Sequence, residues 1–150
     1  MKSLAAVLTA VLATSAALAA DAPKQAGEQL LSTRVTASGQ PIAPPLGPLQ
    51  VTATLAEIGP GERTPLHKHP FLRYDYVLEG RLSVTNFDTG KTDIVTAGQF
   101  VVDPIGQWHQ GAALDGRRVR LLIIDQTPPG ASNLVLKAAQ PEVRRPPRPA

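Results

Sequence analysis

The stretch HKHPFLRYDYVLEG, residues 67–80, carries the features that decide both the fold and the site. His67 and His69 lie two residues apart, so on an extended segment both side chains point to the same face. The following residues alternate between polar and apolar side chains, which predicts a strand that ends in a tight turn at Gly80. The stretch therefore predicts two candidate metal ligands on an extended segment, followed by a strand that carries a fixed positive charge, Arg73.

Strand-like patterns continue on both sides of this stretch. They are VTATLAEI (51–58), RLSVTNF (81–87), TDIVTAGQFVVDP (92–104, two strands divided by a glycine), IGQWHQGAA (105–113), RRVRLLIID (117–125) and NLVLK (133–137). Gly, Pro or Asp bounds each of them, and they recur about every ten residues, as in sandwiches and barrels. Residues 51–125 show no helical period. The chain is therefore predicted to be an all-β sandwich or small barrel.

The third histidine, His109, lies in PIGQWHQG, residues 104–111, and completes the histidines of the chain. Three neutral imidazoles leave a coordination position open for substrate in known catalytic metal sites. Imidazole suits several divalent ions, so the ligands do not distinguish Fe, Mn, Zn, Ni and Cu. Spacing alone leaves a second interpretation open, in which the three histidines are surface residues.

Two segments of the chain resemble the two sequence motifs of the cupin superfamily, with the motif spacing kept. The positions that fit are Gly61, His67, His69 and Gly80 for the first motif, and Gly98, Pro104, Gly106 and His109 for the second. The resemblance implies a small, single-domain, type-2-like cupin: an antiparallel jelly-roll barrel over residues 49–126. It also implies pairing through sheet edges, and hence a homodimer.

The chain departs from the cupin motifs at two positions. The glutamate of the first motif falls on Arg73, and the final asparagine of the second falls on Ala113. In the family, two histidines and the glutamate of the first motif and one histidine of the second bind a divalent metal ion. The resemblance therefore implies only His67, His69 and His109 as metal ligands here.

Arg73 raises the question of what balances its charge. Asp75 lies two residues on and hence on the same strand face, so we expect Arg73 to enter the barrel and to pair with Asp75. Both are predicted to bind a small anionic ligand, because a guanidinium recognises a carboxylate through two parallel hydrogen bonds. Trp108 is predicted either as a platform for that ligand or as core packing. Asp103, which precedes a proline, is interpreted as a turn residue.

The N-terminal segment of the chain predicts export. Residues 1–19 form an apolar run that begins after Lys2 and closes with small residues, as in a secretory signal peptide. An extended arm (20–48) and a Pro/Arg-rich tail (127–150) are predicted to flank the barrel, and the last part of the tail is predicted to be disordered. We expect a periplasmic or secreted protein without stable membrane insertion after cleavage. The chain has no cysteine, so disulfides do not stabilise it.

Two functions follow from these features. The first is a metal-dependent oxygenase, isomerase or decarboxylase that acts on a small anionic molecule. The alternative is a non-catalytic cupin that binds a sugar, a metabolite or a partner protein, since one fold serves many functions. Nucleic acid is not an expected partner, because aromatic residues are few (4%) and the basic residues do not line one predicted element.

Overall fold

The computed structural model describes residues 27–138, and these residues form nine strands and no helix. The strands are β1 (Gln50–Ile58), β2 (His67–Lys68), β3 (Leu72–Glu79), β4 (Arg81–Asn86), β5 (Thr92–Thr96), β6 (Phe100–Val102), β7 (His109–Ala113), β8 (Val119–Thr127) and β9 (Val135–Leu136). Every strand predicted from the sequence is present. Only β2, which has two residues, was not predicted as a strand.

The strands form two antiparallel sheets. One sheet has four strands in the order β1-β8-β3-β6, and the other has five in the order β5-β4-β7-β2-β9. Neighbours within each sheet are mostly distant in sequence, as in a jelly roll rather than a simple meander. The predicted all-β, antiparallel jelly-roll class is thus confirmed.

The core consists of apolar side chains that alternate inward along the strands of both sheets. Val77 of β3 and Val119 of β8 are completely buried. The buried cluster comprises Ile58, Val77, Leu82, Val95, Ala113, Val119 and Leu121. Three members of this cluster, Ile58, Leu82 and Leu121, also line the interior cavity described below.

The tight turn predicted at Gly80 joins β3 to β4. The two strands belong to different sheets and do not pair with each other, so the prediction that they form a hairpin was wrong. The φ of Gly80 is +86°, and a Cβ at this position would collide with the carbonyl oxygen of Arg118. Only glycine tolerates both conditions at once. The turn therefore fixes where β3 ends, and with it the placement of the side chains along that strand.

The segment before β1, residues 27–49, contains no regular strand, and it forms hydrogen bonds with the rest of the domain. The amide of Ala37 donates to the carbonyl of Val102 (2.9 Å), and the Gln40 side chain exchanges two hydrogen bonds with the backbone of Ile105 (both 2.8 Å). The predicted signal peptide and the end of the predicted tail lie outside the described residues. Among residues 27–138, no helix has the length and apolar character needed to cross a membrane.

The described chain continues in regular structure past residue 126, where the barrel was predicted to end. β9 pairs with β2, so that Val135 lies opposite Lys68 and Leu136 opposite His67. The amide of Lys137 also donates to the carbonyl of Leu66 (2.9 Å). β9 is therefore the edge strand of its sheet, directly beside β2, which carries the first histidine.

Candidate metal centre

Three histidines, which we call the histidine trio (His67, His69 and His109), meet in the interior. His67 in β2 lies directly opposite His109 in β7. His69 follows β2, and an isolated parallel bridge joins it to Ile105. The ring centroids are 4.5–4.9 Å apart. The convergence predicted from the two-residue spacing is thus observed, and the cross-strand pairing adds the third ring.

Hydrogen bonds fix the ring tautomer of each member of the trio. The Nδ1 atoms of His67, His69 and His109 lie 2.7, 2.6 and 2.9 Å from the backbone carbonyl oxygens of Pro65, Asn133 and Gln107, respectively. A carbonyl oxygen only accepts, so each Nδ1 carries the hydrogen and each neutral ring keeps its lone pair on Nε2. Metal-binding histidines are commonly oriented by this kind of bond.

The Nε2 atoms of the trio form a donor set that could hold a metal ion. The three ligand atoms lie within 4.8 Å of one another, and the side chains are buried. Nε2 of His69 and of His109 are both buried without a hydrogen-bond partner. Two nitrogens that share an ion at about 2.1 Å lie at most about 4.2 Å apart, so small ring movements close the set on one ion.

Burial also keeps two members of the trio, His67 and His109, in the neutral form that metal binding requires. Loss of solvation lowers the pKa of His67 to about 4, against the opposing hydrogen bond to Pro65. Burial likewise lowers the pKa of His109, and the nearby charge of Asp103 compensates only in part. Because neutral imidazole is the metal-binding form, these two rings are available as ligands in the ordinary pH range.

Arg73 points into the interior, as predicted, but the prediction that it pairs with Asp75 was wrong. It forms a two-pronged salt bridge with Asp125, from Nε to Oδ1 and from Nη2 to Oδ2, both 2.8 Å. We call these two residues the arginine pair. The reason is sheet register: Arg73 in β3 lies directly opposite Asp125 in β8, whereas Asp75 is one strand repeat, about 6–7 Å, away. Burial acts to lower the pKa of Arg73, but the bonds and charge of Asp125 outweigh it and raise that pKa.

Asp75 is therefore left without the cation that was expected to neutralise it. Its side chain lines the same cavity as Arg73, and its Oδ1 is buried without a hydrogen-bond partner. Burial, and next the charge of Asp103, raise the pKa of Asp75 well above its usual value. Its predicted role in ligand binding stays a prediction, now for a buried carboxyl group with a free oxygen.

Asp103 is a site residue that the sequence interpretation missed. It is buried, and its Oδ2 lies 3.4 Å from Nε2 of His69 and 3.7 Å from Nε2 of His109. Burial acts to raise its pKa, but contact with His69, the positive charge that His69 and His109 carry when protonated, and the charge of Arg73 lower it overall. Strand alternation could have identified it, because Asp103 is two residues beyond Val101, which packs against the core, and residues two apart share a strand face.

Asn133 is a second buried residue that was missed. Its amide donates to Asp125 Oδ1 (2.6 Å) and to the carbonyl of Leu72 (3.2 Å), and its Oδ1 accepts from the amide of Phe71 (2.8 Å). Its own carbonyl accepts the hydrogen bond from His69. Asn133 thus joins the arginine pair to the histidine trio. The sequence placed it only at the start of a predicted strand (133–137), which gave no sign of burial, and in the structure it precedes β9.

Trp108 is not among the residues that line the interior cavity. The ammonium groups of Lys68 and Lys137 lie 4.8 and 5.5 Å from the centre of its ring. Such contacts are favourable cation–π interactions. The predicted role of Trp108 as a ligand platform stays a prediction that this placement does not favour.

The interior cavity has a volume of about 140 Å³. Two histidines of the trio, His67 and His109, meet Arg73, Asp75 and Asp103 on its wall. The remainder of the lining is largely aliphatic, with Ile58, Leu82, Val84, Leu121 and Ile123 among its members. The cavity is thus a small apolar chamber with a few convergent polar groups, the usual composition of a small-molecule site.

Comparison with known proteins agrees with the fold. Residues 54–125 match the family model described as a cupin domain. Comparison with curated protein sequences gives no match.

Several solved structures are similar to this chain. The polyketide cyclase RemF from Streptomyces resistomycificus is 30% identical, with 58% of this chain and 62% of that chain covered and a TM-score of 0.48. An oxalate decarboxylase of Lactobacillus farciminis, crystallised as a formate complex, is 26% identical, with 57% and 26% covered and a TM-score of 0.51. The DMSP lyase DddQ from Ruegeria pomeroyi DSS-3 is 21% identical, with 57% and 42% covered and a TM-score of 0.50.

The chain spans less than two thirds of each of these proteins. At 21% identity, the likeness to the lyase concerns the fold alone. The matched residues 54–125 include all three histidines and extend from β1 to β8. Residues 54–125 of this chain therefore form a domain of the cupin superfamily.

Proposed function

We propose that this chain is a metal-dependent enzyme that binds one divalent ion through the histidine trio and acts on a small carboxylate in the interior cavity. One observation carries the proposal: three buried rings present their Nε2 lone pairs to one place, and Nε2 of His69 and His109 have no partner. A buried polar atom without a partner costs free energy. An ion at this place would satisfy both atoms.

The residues of the chain have separate roles in this proposal. The carbonyl contacts at Nδ1 hold the three rings in the orientation that an ion needs. A bound divalent ion supplies Lewis acidity toward a substrate oxygen. The aliphatic wall excludes water. The described hydrogen bonds of Arg73 use Nε and Nη2, so Nη1 remains to orient a carboxylate.

A small carboxylate is the substrate class that the comparison favours. The decarboxylase at 26% identity and a TM-score of 0.51 acts on oxalate and was crystallised with formate. A cavity of about 140 Å³ suits a molecule of that size rather than a larger metabolite. The chain spans only 26% of that protein, so the activity of the decarboxylase is a hypothesis for this chain.

A specific observation favours the alternative, a cupin that binds a small molecule without converting it. Asp125 already accepts the two parallel hydrogen bonds from Nε and Nη2 of Arg73. Arg73 is therefore a weaker anchor for an anion than a free guanidinium would be, because its best hydrogen-bonding geometry is used within the protein.

Metal binding is tested on the purified protein by metal analysis and by thermal unfolding with and without added Zn²⁺. Ligand present at 100 times its Kd stabilises a folded protein by about 2.7 kcal/mol, so we expect a clear rise in Tm. His109→Ala should lose this rise and bind Zn²⁺ more than about 100-fold more weakly. Lys68→Ala is the matched control: it lies between two histidines in sequence but contacts Trp108, and it should bind as the wild type does.

Enzymatic and non-catalytic functions are separated by incubating the metal-loaded protein with oxalate, formate and related small acids. Turnover that disappears in His109→Ala supports the enzyme. Saturable binding without conversion supports the alternative. A wild-type protein that gains no stability from Zn²⁺, Mn²⁺, Fe²⁺, Ni²⁺ or Cu²⁺ contradicts the metal site itself.

Export is also part of the proposal, because residues 1–19 have the composition of a signal peptide. Expression of the whole chain, followed by fractionation and N-terminal sequencing, should give a periplasmic or secreted protein that begins after Ala19. A chain that keeps Met1 and stays with the membrane would contradict cleavage.

A further inference from the structure

The contacts of Asp103 with the histidine trio need an explanation. Its Oδ2 lies 3.4 Å from Nε2 of His69 and 3.7 Å from Nε2 of His109, and both rings are almost completely buried. Because each Nδ1 carries the ring hydrogen, these Nε2 atoms present lone pairs. A carboxylate oxygen also presents lone pairs. Three acceptors thus face one another in the interior, an arrangement that a cation between them would make favourable.

The distances match metal coordination better than hydrogen bonding. A charge-assisted hydrogen bond between a ring nitrogen and a carboxylate is about 2.7–2.9 Å long, shorter than the 3.4 and 3.7 Å found here. Two ligands bound at about 2.1 Å to one tetrahedral ion lie about 3.4 Å apart. Asp103 therefore stands at the distance of a fellow ligand from two members of the trio.

The turn role first assigned to Asp103 does not account for its placement. A turn aspartate accepts hydrogen bonds from nearby backbone amides, and the described residues make none to this side chain. Its amide instead donates to the carbonyl of Arg73 (3.0 Å). Asp103 is thus joined through the backbone to the position where the family motif has its glutamate.

We infer that Asp103 is a fourth metal ligand, which supplies from the second motif the carboxylate that Arg73 replaces in the first. This inference rests on the proposed metal site. It also explains how the site tolerates Arg73: the guanidinium is bound to Asp125, while a different carboxylate faces the ion. The ligand set becomes three imidazoles and one carboxylate, drawn from both motifs.

The test compares two buried carboxyl groups of the same cavity, Asp103 and Asp75. Zn²⁺ and Co²⁺ are titrated into the wild type, Asp103→Asn and Asp75→Asn, and the visible spectrum of each Co²⁺ form is recorded. We expect Asp103→Asn to bind both ions at least about 100-fold more weakly, beyond the loss typical of residues that only orient a ligand, with changed Co²⁺ bands. Asp75→Asn should bind within about threefold of the wild type and keep the wild-type spectrum.

Each outcome decides a different point. A wild type that binds neither ion overturns the proposed function, and the inference with it. If the wild type binds and Asp103→Asn matches it in affinity and spectrum, the three-histidine site stands and the fourth ligand is overturned. Equal losses in both variants with unchanged spectra mean that charge, not coordination, is responsible, and this also overturns the inference.

A second variant keeps the test decisive if Asp103→Asn does not fold, which circular dichroism will show. Asp103→Glu retains a carboxylate but moves its oxygens by about one carbon–carbon bond. If Asp103 is a ligand, the Co²⁺ spectrum of Asp103→Glu should shift. An unchanged spectrum and affinity would overturn the inference.

Discussion

The histidine trio and the arginine pair belong to different sheets and differ in how their polar atoms are satisfied. In the arginine pair, the 2.8 Å salt bridge joins two side chains that are 15% and 14% exposed. In the trio, each Nδ1 is bonded, but Nε2 of His69 and of His109 have no partner. The charged groups of the arginine pair are thus hydrogen-bonded to each other, whereas two acceptor nitrogens of the trio have no hydrogen bond.

This difference predicts that one group contributes mainly to folding stability and the other mainly to ligand binding. A buried charge held by a partner contributes through the protein itself, and removing one member leaves the other unpaired. Buried lone pairs that face one another contribute nothing favourable until a cation reaches them. The arginine pair should therefore matter mainly for folding, and the trio mainly for the affinity of an added ion.

The largest expected effect comes from breaking the arginine pair. Asp125→Asn keeps the size of the side chain but removes its charge, so Arg73 stays buried without compensation. We expect the free energy of unfolding to fall by about 3 kcal/mol, measured by urea denaturation. Adding Arg73→Met should recover most of that loss, because the uncompensated charge is then absent.

A matched exposed pair serves as the control for that prediction. Arg81 and Asp115 are also joined at 2.8 Å, but their side chains are 50% and 49% exposed. Asp115→Asn should cost no more than about 1 kcal/mol, since exposed ion pairs contribute little. Equal costs at the two sites would mean that burial does not distinguish the pairs and that the proposed separation is wrong.

A smaller effect, on both groups at once, is expected at Asn133, which connects them. Asn133→Ala leaves the amide of Phe71 without its acceptor and removes a donor from Asp125, so stability should fall by about 2 kcal/mol. The bond from His69 to the carbonyl at position 133 should also loosen. We therefore expect Zn²⁺ to bind about 10-fold more weakly, measured by calorimetry.

Leu134→Ala tests the specificity of that result, because Leu134 is adjacent in sequence and 46% exposed. It should change stability by less than about 0.5 kcal/mol and leave Zn²⁺ affinity unchanged. If Asn133→Ala loses stability but binds Zn²⁺ as the wild type does, the two groups are independent and the link through His69 is not functional.

The sequence predicted the strands and the trio because both depend on local regularities. Alternation of side chains revealed β1 and β3, an apolar run revealed β8, and the two-residue spacing placed His67 and His69 on one face. The same reasoning would have found Asp103 by counting two residues from Val101. The proline after Asp103 favoured the more common interpretation as a turn, and the interior position was overlooked.

The partners of these residues could not be predicted in the same way. Arg73 and Asp125 are neighbours only through the register between β3 and β8, which the whole sheet determines and neither strand encodes alone. A same-strand neighbour, Asp75, was therefore chosen. Asn133 begins the last predicted strand (133–137), but in the structure it precedes β9. Its burial follows from how β9 pairs with β2 rather than from its own surroundings in sequence.

The smallest expected effect concerns Trp108, which lies outside both groups. Trp108→Leu removes the contacts of its ring with Lys68 and Lys137, and we expect stability to fall by about 1 kcal/mol or less. The double variant Lys68→Ala/Lys137→Ala should reproduce most of that loss, because it removes the same contacts from the other side. Since the ring does not line the cavity, Zn²⁺ and carboxylate affinity should stay within about twofold of the wild type. A carboxylate affinity that falls 10-fold or more in Trp108→Leu, with Zn²⁺ binding unchanged, would instead show that this ring contacts the ligand and that the site extends beyond the interior cavity.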